Sequence, residues 1–326
     1  MLHATGRTMA RADLKSKLPH IFIDGEAGTT GLGIRQRLAG RTDMAVISID
    51  PALRKDAEAR REMMKRADVT ILCLPDEAAK EAVALNATLG ASATRIVDAS
   101  TAHRTAPGWV YGFPELSKAQ TAAVANANLV ANPGCYPTGA IALIRPLIDG
   151  GLMAAGHAVT VNAVSGYTGG GKSMIEAYEA GKAPAFELYG LGFEHKHVPE
   201  LQAYSNLTKR PIFIPSVGNF AQGMLVSIPV HLDMLKGQPS GGDLHKALSD
   251  HYRGSPWVSV ISLEDTARLG GRIEPEALND TNKLELLVFS SEKHRQAVLV
   301  ARLDNLGKGA SGAAVQNVEL MLGLKQ

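Results

Sequence analysis

Short apolar runs alternate with helical segments through the first half of the chain: HIFID (20–24), MAVISID (44–50), DVTILCLP (68–75) and RIVDAS (95–100). Strands of this kind, separated by helices, predict a parallel sheet covered on both faces. Leu32, Ile34 and Leu38 mark a helix from Gly31 that stops at Gly40, and a helix over 76–89 opens with Asp76 and Glu77 at the positive end of its dipole. After residue 150 the texture changes. AVTVNAVS (158–165), PIFIP (211–215), MLVSIPVHL (224–232), WVSVISL (257–263), KLELLVFS (283–290) and AVLVARL (297–303) follow closely with few helical stretches, which predicts a mostly antiparallel α+β sheet. Helical spacing of Ala314, Val315, Val318, Met321, Leu322 and Leu324 gives a last helix over 311–324 whose apolar face must pack, back on the first domain.

At 326 residues the chain is long enough for two cores, and 45% hydrophobic with 20% charged residues excludes disordered and collagen-like classes. A net charge of +2, with no dense basic block, gives nucleic-acid binding no electrostatic support. The most basic stretch, Arg54 to Arg66, alternates with Asp56, Glu58 and Glu62 and suits a solvated helix face. No apolar run is long enough to span a bilayer and the N-terminus has no apolar leader core, so a cytoplasmic protein is expected, with residues 1–18 as a mobile extension. Two cysteines make no disulfide framework, so each is read singly.

After the first strand, DGEAGTTGLG places Gly25, Gly28 and Gly31 where strand turns into helix. Glycines there let backbone N–H groups approach a pyrophosphate at a helix N-terminus, the signature of a Rossmann-type dinucleotide-binding domain. Asp50 ends the second strand, where an acid binds a ribose 2′-hydroxyl; it equally suits the N-cap of a helix from Pro51. Arg54 and Lys55 nearby could instead neutralise a 2′-phosphate, and NAD and NADP both stay open.

Cys73, inside TILCL, reads as a buried core thiol. Cys135 follows a Pro-Gly turn and opens a segment whose Ile141, Ile144, Leu147 and Ile148 form one helix face. At a helix N-terminus the dipole is expected to lower a thiol's pKa and make it a nucleophile; a core thiol is the competing reading. Among ten histidines the proton-transfer candidates are His195 and His197 in EHKHVPE, flanked by Glu194 and Glu200. A metal-binding His-x-His pair is the rival, without a third ligand at recognisable spacing, and no metal is expected. His103, His157, His231 and His294 stand singly and read as surface or structural. SGYTGGGK (165–172) runs into Ser173 as GYTGGGKS and so matches a Walker A loop, which raises a nucleotide-binding regulator; a dinucleotide fold upstream favours instead an anion-binding loop with Lys172. LGKGASG (306–312) is a second glycine-rich stretch.

Through IDGEAGTTGLGIR, LCLPDEAA, DASTAHR, YGFPEL, NPGCYPTGAIAL, VNAVSGYTGGGK, GLGFEHKHVPE, FAQGML and LDNLGKGASGAAVQN, the chain resembles the N-acetyl-gamma-glutamyl-phosphate reductase family of arginine biosynthesis, closest to its shorter subtype. The resemblance implies an α/β fold: an NADP-binding Rossmann domain at 19–136 and 305–326, and a mostly antiparallel α+β substrate and dimerisation domain at 137–304. It implies that Cys135 attacks an acyl phosphate, that phosphate leaves a thioester, and that hydride from NADPH gives a semialdehyde. His197 is favoured over His195 as acid/base, and a protonated neighbour would hold the thiolate. Arg104, Lys172, Ser165, Gly166 and Glu200 would meet the substrate. Gly25, Gly28, Thr29, Thr30, Gly31, Asp50, Arg54, Cys73, Leu74, Pro75, Ser100, Asn305, Lys308 and Gly309 would meet the cofactor, with Asp50 in tension with a 2′-phosphate unless it turns away. A homo-oligomer, dimer or tetramer, is expected. Aspartate-semialdehyde dehydrogenase chemistry is the alternative within the class, and a Cys-His hydrolase the alternative outside it.

Overall fold

The computed structural model describes residues 18–325, so the expected extension at 1–18 lies, but for Leu18, outside the described residues. The first half builds a six-stranded, wholly parallel sheet in the order β2-β1-β3-β4-β6-β5 from β1 (His20–Asp24), β2 (Ala45–Ile47), β3 (Val69–Leu72), β4 (Arg95–Asp98), β5 (Val110–Tyr111) and β6 (Leu129–Ala131). Alternate residues feed opposite cores: Ile21 and Ile23 join one, Phe22 the other. Helices α2 (Ala57–Arg66) and α3 (Asp76–Ala87) cover Phe22's face, while α1 (Thr29–Leu38) and α4 (Gln120–Asn126) cover the opposite one. No helix begins at Pro51. Asp50 Oδ1 accepts the Ala52 N–H at 2.9 Å in a local turn, and α2 starts only at Ala57, capped by Asp56.

The second sheet has seven strands in the order β11-β12-β13-β10-β7-β9-β8. These are β7 (Thr160–Gly166), β8 (Phe186–Leu188), β9 (Ile212–Gly218), β10 (Met224–His231), β11 (Val258–Val260), β12 (Leu284–Ser291) and β13 (Gln296–Leu303). β7–β9 and β11–β12 pair in parallel and the other neighbours antiparallel. WVSVISL is strand only over 258–260, because the Ser262 side chain caps a short helix by accepting the Asp265 N–H. Besides α5 (Cys135–Asp149) and α6 (Lys172–Glu179), the sheet carries helices that its sequence does not suggest: α7 (Val198–Tyr204), α8 (Gly241–His251) and α9 (Leu263–Arg268). Ile141, Ile144 and Leu147 of α5 bury with Val226, Ile228, Leu299 and Ala301 on the sheet's inner face.

The chain then returns. After β13 it makes a wide turn over Gly307–Ser311 and enters α10 (Gly312–Leu322), whose Ala314, Val315, Val318 and Met321 bury with Ile21, Val69 and Val97 of the first sheet. Both α5 and this return cross between the sheets, so Cys135 and the 305–310 stretch meet at the junction. Among the described residues no helix is long and apolar enough to cross a membrane.

Candidate active site

Asn132-Pro133-Gly134 leaves β6 and Cys135 begins α5, with Gly134 as an N-cap that has no side chain to satisfy the helix's free N–H groups. A Cβ on Gly134 would stand 2.7 Å from Arg104 Nη1 and from His197 Nε2, and 2.8 Å from Glu200 Oε1. Only glycine fits there.

Behind the turn lies a buried ion pair. Arg104 Nη1 donates to Glu200 Oε1 at 2.6 Å and its Nε to the Asn132 carbonyl at 3.0 Å, while Tyr111 Oη and the Gly134 N–H donate to Glu200 Oε2 at 2.8 and 3.1 Å. Glu200, 1% exposed, thus grips the residue before Cys135 from within the protein, and is not a cleft wall as expected for a substrate ligand.

In front of the turn is a cleft of about 190 Å³. Cys135, His197, Arg104, Thr29, Thr30, Asn305 and Gly309 line it, as does Lys196, which the sequence reading passed over although it sits between the two histidines. His195 is not a wall of it. Its ring packs on Tyr136, Tyr189 and Phe213, and its Nδ1 accepts the His197 N–H at 3.2 Å. The two histidines are therefore separated by position: one faces the thiol's cleft, the other braces it from behind.

Burial pushes the Cys135 thiol up to about 11, against the pull of the Tyr136 N–H and of Arg104. Desolvation thus opposes the lowering expected at a helix N-terminus. Burial, helped by Arg104, His195 and Lys196, holds His197 well below the usual histidine range, and its Nδ1 is buried without a partner. Both shifts favour a thiol beside a neutral imidazole over the thiolate beside a protonated histidine that the resemblance implies.

A second groove, of about 660 Å³, runs along the other side of the β1–α1 turn and takes in Gly25, Gly28, Arg54, Lys55, Cys73 and Leu74. Gly25 has φ +90° and a Cβ there would collide with the Cys73 carbonyl, and one on Gly31 would stand 2.6 Å from the Gly25 carbonyl. The resulting tight turn presents the N-terminus of α1 with no acidic residue in its first turn and no side-chain cap. Asp50 is outside the groove wall, its carboxylate turned onto Ala52.

Several expected contacts lie elsewhere. Lys172, with its side chain 87% exposed, points to solvent beside Glu176, although Thr168, Gly169 and Gly171 of the same loop do line the Cys135 cleft. Ser165 and Gly166 are buried behind that loop. Ser100 is buried with its Oγ on Asp98 at 2.7 Å, and Pro75 is exposed ahead of α3; neither walls a groove. Lys308 is buried away from the cleft on Glu115 and Gln316. Asn305 faces the cleft and ties two of its walls, its Nδ2 donating to Thr168 Oγ1 at 2.9 Å and its Oδ1 accepting the Gly223 N–H at 2.8 Å. The described residues hold no cluster of three or more His, Cys, Asp or Glu suited to a metal.

Comparison with known proteins identifies the family and the fold. A family model described as the semialdehyde dehydrogenase NAD-binding domain matches residues 25–124, and one described as the semialdehyde dehydrogenase dimerisation domain matches residues 135–305. Proteins named N-acetyl-gamma-glutamyl-phosphate reductase from Brucella ovis and Brucella canis are each 56% identical over 310 residues, 94% of this chain and 99% of theirs. Among solved structures, aspartate semialdehyde dehydrogenase II of Vibrio cholerae, complexed with ASA, has a TM-score of 0.69 at 16% identity, covering 94% of this chain and 99% of that one. The enzyme of Francisella tularensis has a TM-score of 0.69 at 15% identity, covering 93% and 100%. These two share the fold.

Proposed function

The chain belongs to the semialdehyde dehydrogenase family, on its N-acetyl-gamma-glutamyl-phosphate reductase branch, and from that premise we propose that it reduces N-acetyl-gamma-glutamyl phosphate to N-acetyl-glutamate 5-semialdehyde through a thioester on Cys135. The observation that carries the residue assignment is the shared cleft, in which Cys135 and His197 stand opposite the N-terminus of α1.

The groove suits a dinucleotide: the Gly25–Gly28–Gly31 turn leaves room that a Cβ would fill, and the uncapped N–H groups of α1 suit a pyrophosphate. Arg54 and Lys55 on its wall, with Asp50 turned away, favour NADPH over NADH. NADPH, when bound, supplies hydride to the acyl carbon held on the cysteine.

The chain's own groups do the rest. Cys135 Sγ attacks the acyl carbon while the neutral imidazole of His197 takes the thiol proton, so the nucleophile forms only as substrate arrives and phosphate leaves. After reduction, the thiohemiacetal collapses to the semialdehyde and a thiolate, which His197 reprotonates. Arg104 is committed to Glu200, which leaves Lys196 as the cleft's cation for an anionic group of the substrate.

The outer face of the second sheet is apolar, with Val164, Leu188, Ile214, Leu225 and Val300 lining a shallow depression and Phe186 more than half exposed. A face of this kind within the segment matching a dimerisation domain suits a homodimer.

The test is the reverse reaction, followed by NADPH absorbance on mixing enzyme, NADP⁺ and N-acetyl-glutamate 5-semialdehyde with and without phosphate, beside aspartate semialdehyde. Strictly phosphate-dependent reduction with the acetylated substrate is expected. Turnover with aspartate semialdehyde alone, or turnover without phosphate, would overturn the reading.

A further inference from the structure

The LGKGASG stretch contains a group that the reductase chemistry does not use. Lys308 is 1% exposed. Its Nζ donates to Glu115 Oε1 at 2.8 Å and to Gln316 Oε1 at 2.6 Å, and stands 5.5 Å from the centroid of the Phe113 ring. Gln316 Nε2 closes the set by donating to the same Glu115 oxygen at 2.9 Å. Glu115 comes from the loop after β5, Gln316 from α10, and Lys308 from the chain leaving β13, so one ammonium joins segments rooted in both sheets.

A buried ion pair is by itself weak evidence for a role in stability. Burying a cation costs free energy that a partner only roughly offsets, and apolar replacements of buried ion pairs are often neutral or stabilising. What the pair does hold is geometry. Lys308 lies within the wide turn Gly307–Ser311, closed by i to i−5 bonds from Gly309 N–H to the Asp304 carbonyl (3.0 Å) and from Ser311 N–H to the Leu306 carbonyl (2.9 Å). Turns of this width are rare and are found frequently at functional sites. The next residue, Gly309, is the one pressed on the nucleophile: a Cβ there would stand 2.7 Å from Cys135 Cβ and 3.2 Å from its Cα.

We propose that Lys308 is a positioning residue for Cys135: its buried ion pair with Glu115 fixes the wide turn that sets Gly309 against the nucleophile and forms one wall of the cleft. The proposal rests on Cys135 being the nucleophile.

The test is the double variant K308M/E115M, which removes both charges together so that neither is left unpaired. Turnover is measured together with the rate at which iodoacetamide alkylates Cys135, read by peptide mass. A merely structural pair predicts wild-type values for both once the protein is folded. A positioning role predicts a thermal midpoint within about 5 °C of wild type, kcat lower by about tenfold with the KM for NADPH little changed, and alkylation faster by about fivefold as the wall recedes. Wild-type kcat and alkylation in the folded double variant would overturn the proposal. If that variant does not fold, Gln316→Leu, which removes the amide that accepts from Lys308 and Asn282 and donates to Glu115 but keeps the ion pair, decides instead: kcat about threefold lower with faster alkylation is expected, and no change in either overturns it. Alkylation needs no substrate, so a wild-type enzyme inactive on acyl phosphates would sink the reductase reading separately.

Discussion

Gly309 lies so close to Cys135 that a Cβ on the glycine would stand 2.7 Å from the cysteine's own Cβ. The contact joins the start of α5 to the turn ahead of α10, and there is no room in it for a methyl group. Gly309→Ala is expected to cost about 1–3 kcal/mol by overpacking. Its kcat should fall by more than the loss of folded protein explains, checked by thermal unfolding beside active-site titration.

The protonation state of Cys135 gives a second expectation. With the thiol pushed up to about 11 by burial, the thiolate fraction is small at neutral pH and rises with alkalinity. The alkylation rate of Cys135 in the free enzyme should climb about tenfold per pH unit from 7 to 9 and keep rising beyond. A profile that levels off near pH 8 would show instead that the helix N-terminus and Arg104 outweigh desolvation.

The two histidines should separate kinetically. His197 faces the cleft and His195 braces it through the bond from the His197 N–H. His197→Asn is expected to lower kcat by about 10²–10⁴, and His195→Asn by about tenfold, the loss expected of misplaced orientation. Equal losses would contradict the division.

His197 also sets an acid limit to stability. Its folded pKa lies below the unfolded value, so both states are neutral at pH 7 and the unfolded chain alone takes up the proton as pH falls below the ordinary histidine range. Stability should then drop by about 1.4 kcal/mol per pH unit for this residue. Denaturant unfolding at pH 7 and pH 5 should show a shallower loss in His197→Asn than in wild type.

Asp50 and Arg54 should part company in cofactor choice. The Asp50 carboxylate is occupied by the Ala52 N–H outside the groove, whereas Arg54 is on its wall. Asp50→Ala should leave the NADPH to NADH preference within about threefold, and Arg54→Ala should raise the KM for NADPH about tenfold with little effect on NADH. Steady-state kinetics with both cofactors checks this.

Much of this protein was legible in order along the chain, because the features concerned are local. The Gly25–Gly31 turn, the NPGC turn that makes Cys135 the first residue of a helix, and the alternating apolar runs of the first sheet are each set by neighbours within a few positions. Short strands such as β5 and β8, and helices α7 to α9, escaped because their periodicity is brief and tertiary packing completes them.

What only the tertiary structure decided is which charged side chains face the chemistry. Lys172, Lys196 and Lys308 all sit in suggestive motifs, yet one points to solvent, one lines the cleft and one is buried in an ion pair. Glu200 and Arg104, 96 positions apart, neutralise one another behind the turn that carries Cys135, and Glu115 and Lys308, 193 positions apart, do so beside it. The sequence by itself determined the turns, the longer strands and the seat of Cys135 at a helix start, since those depend on backbone conformation that adjacent residues select. The direction of a long charged side chain depends instead on where its counter-charge is brought by the fold, and desolvation at that place determines its protonation state.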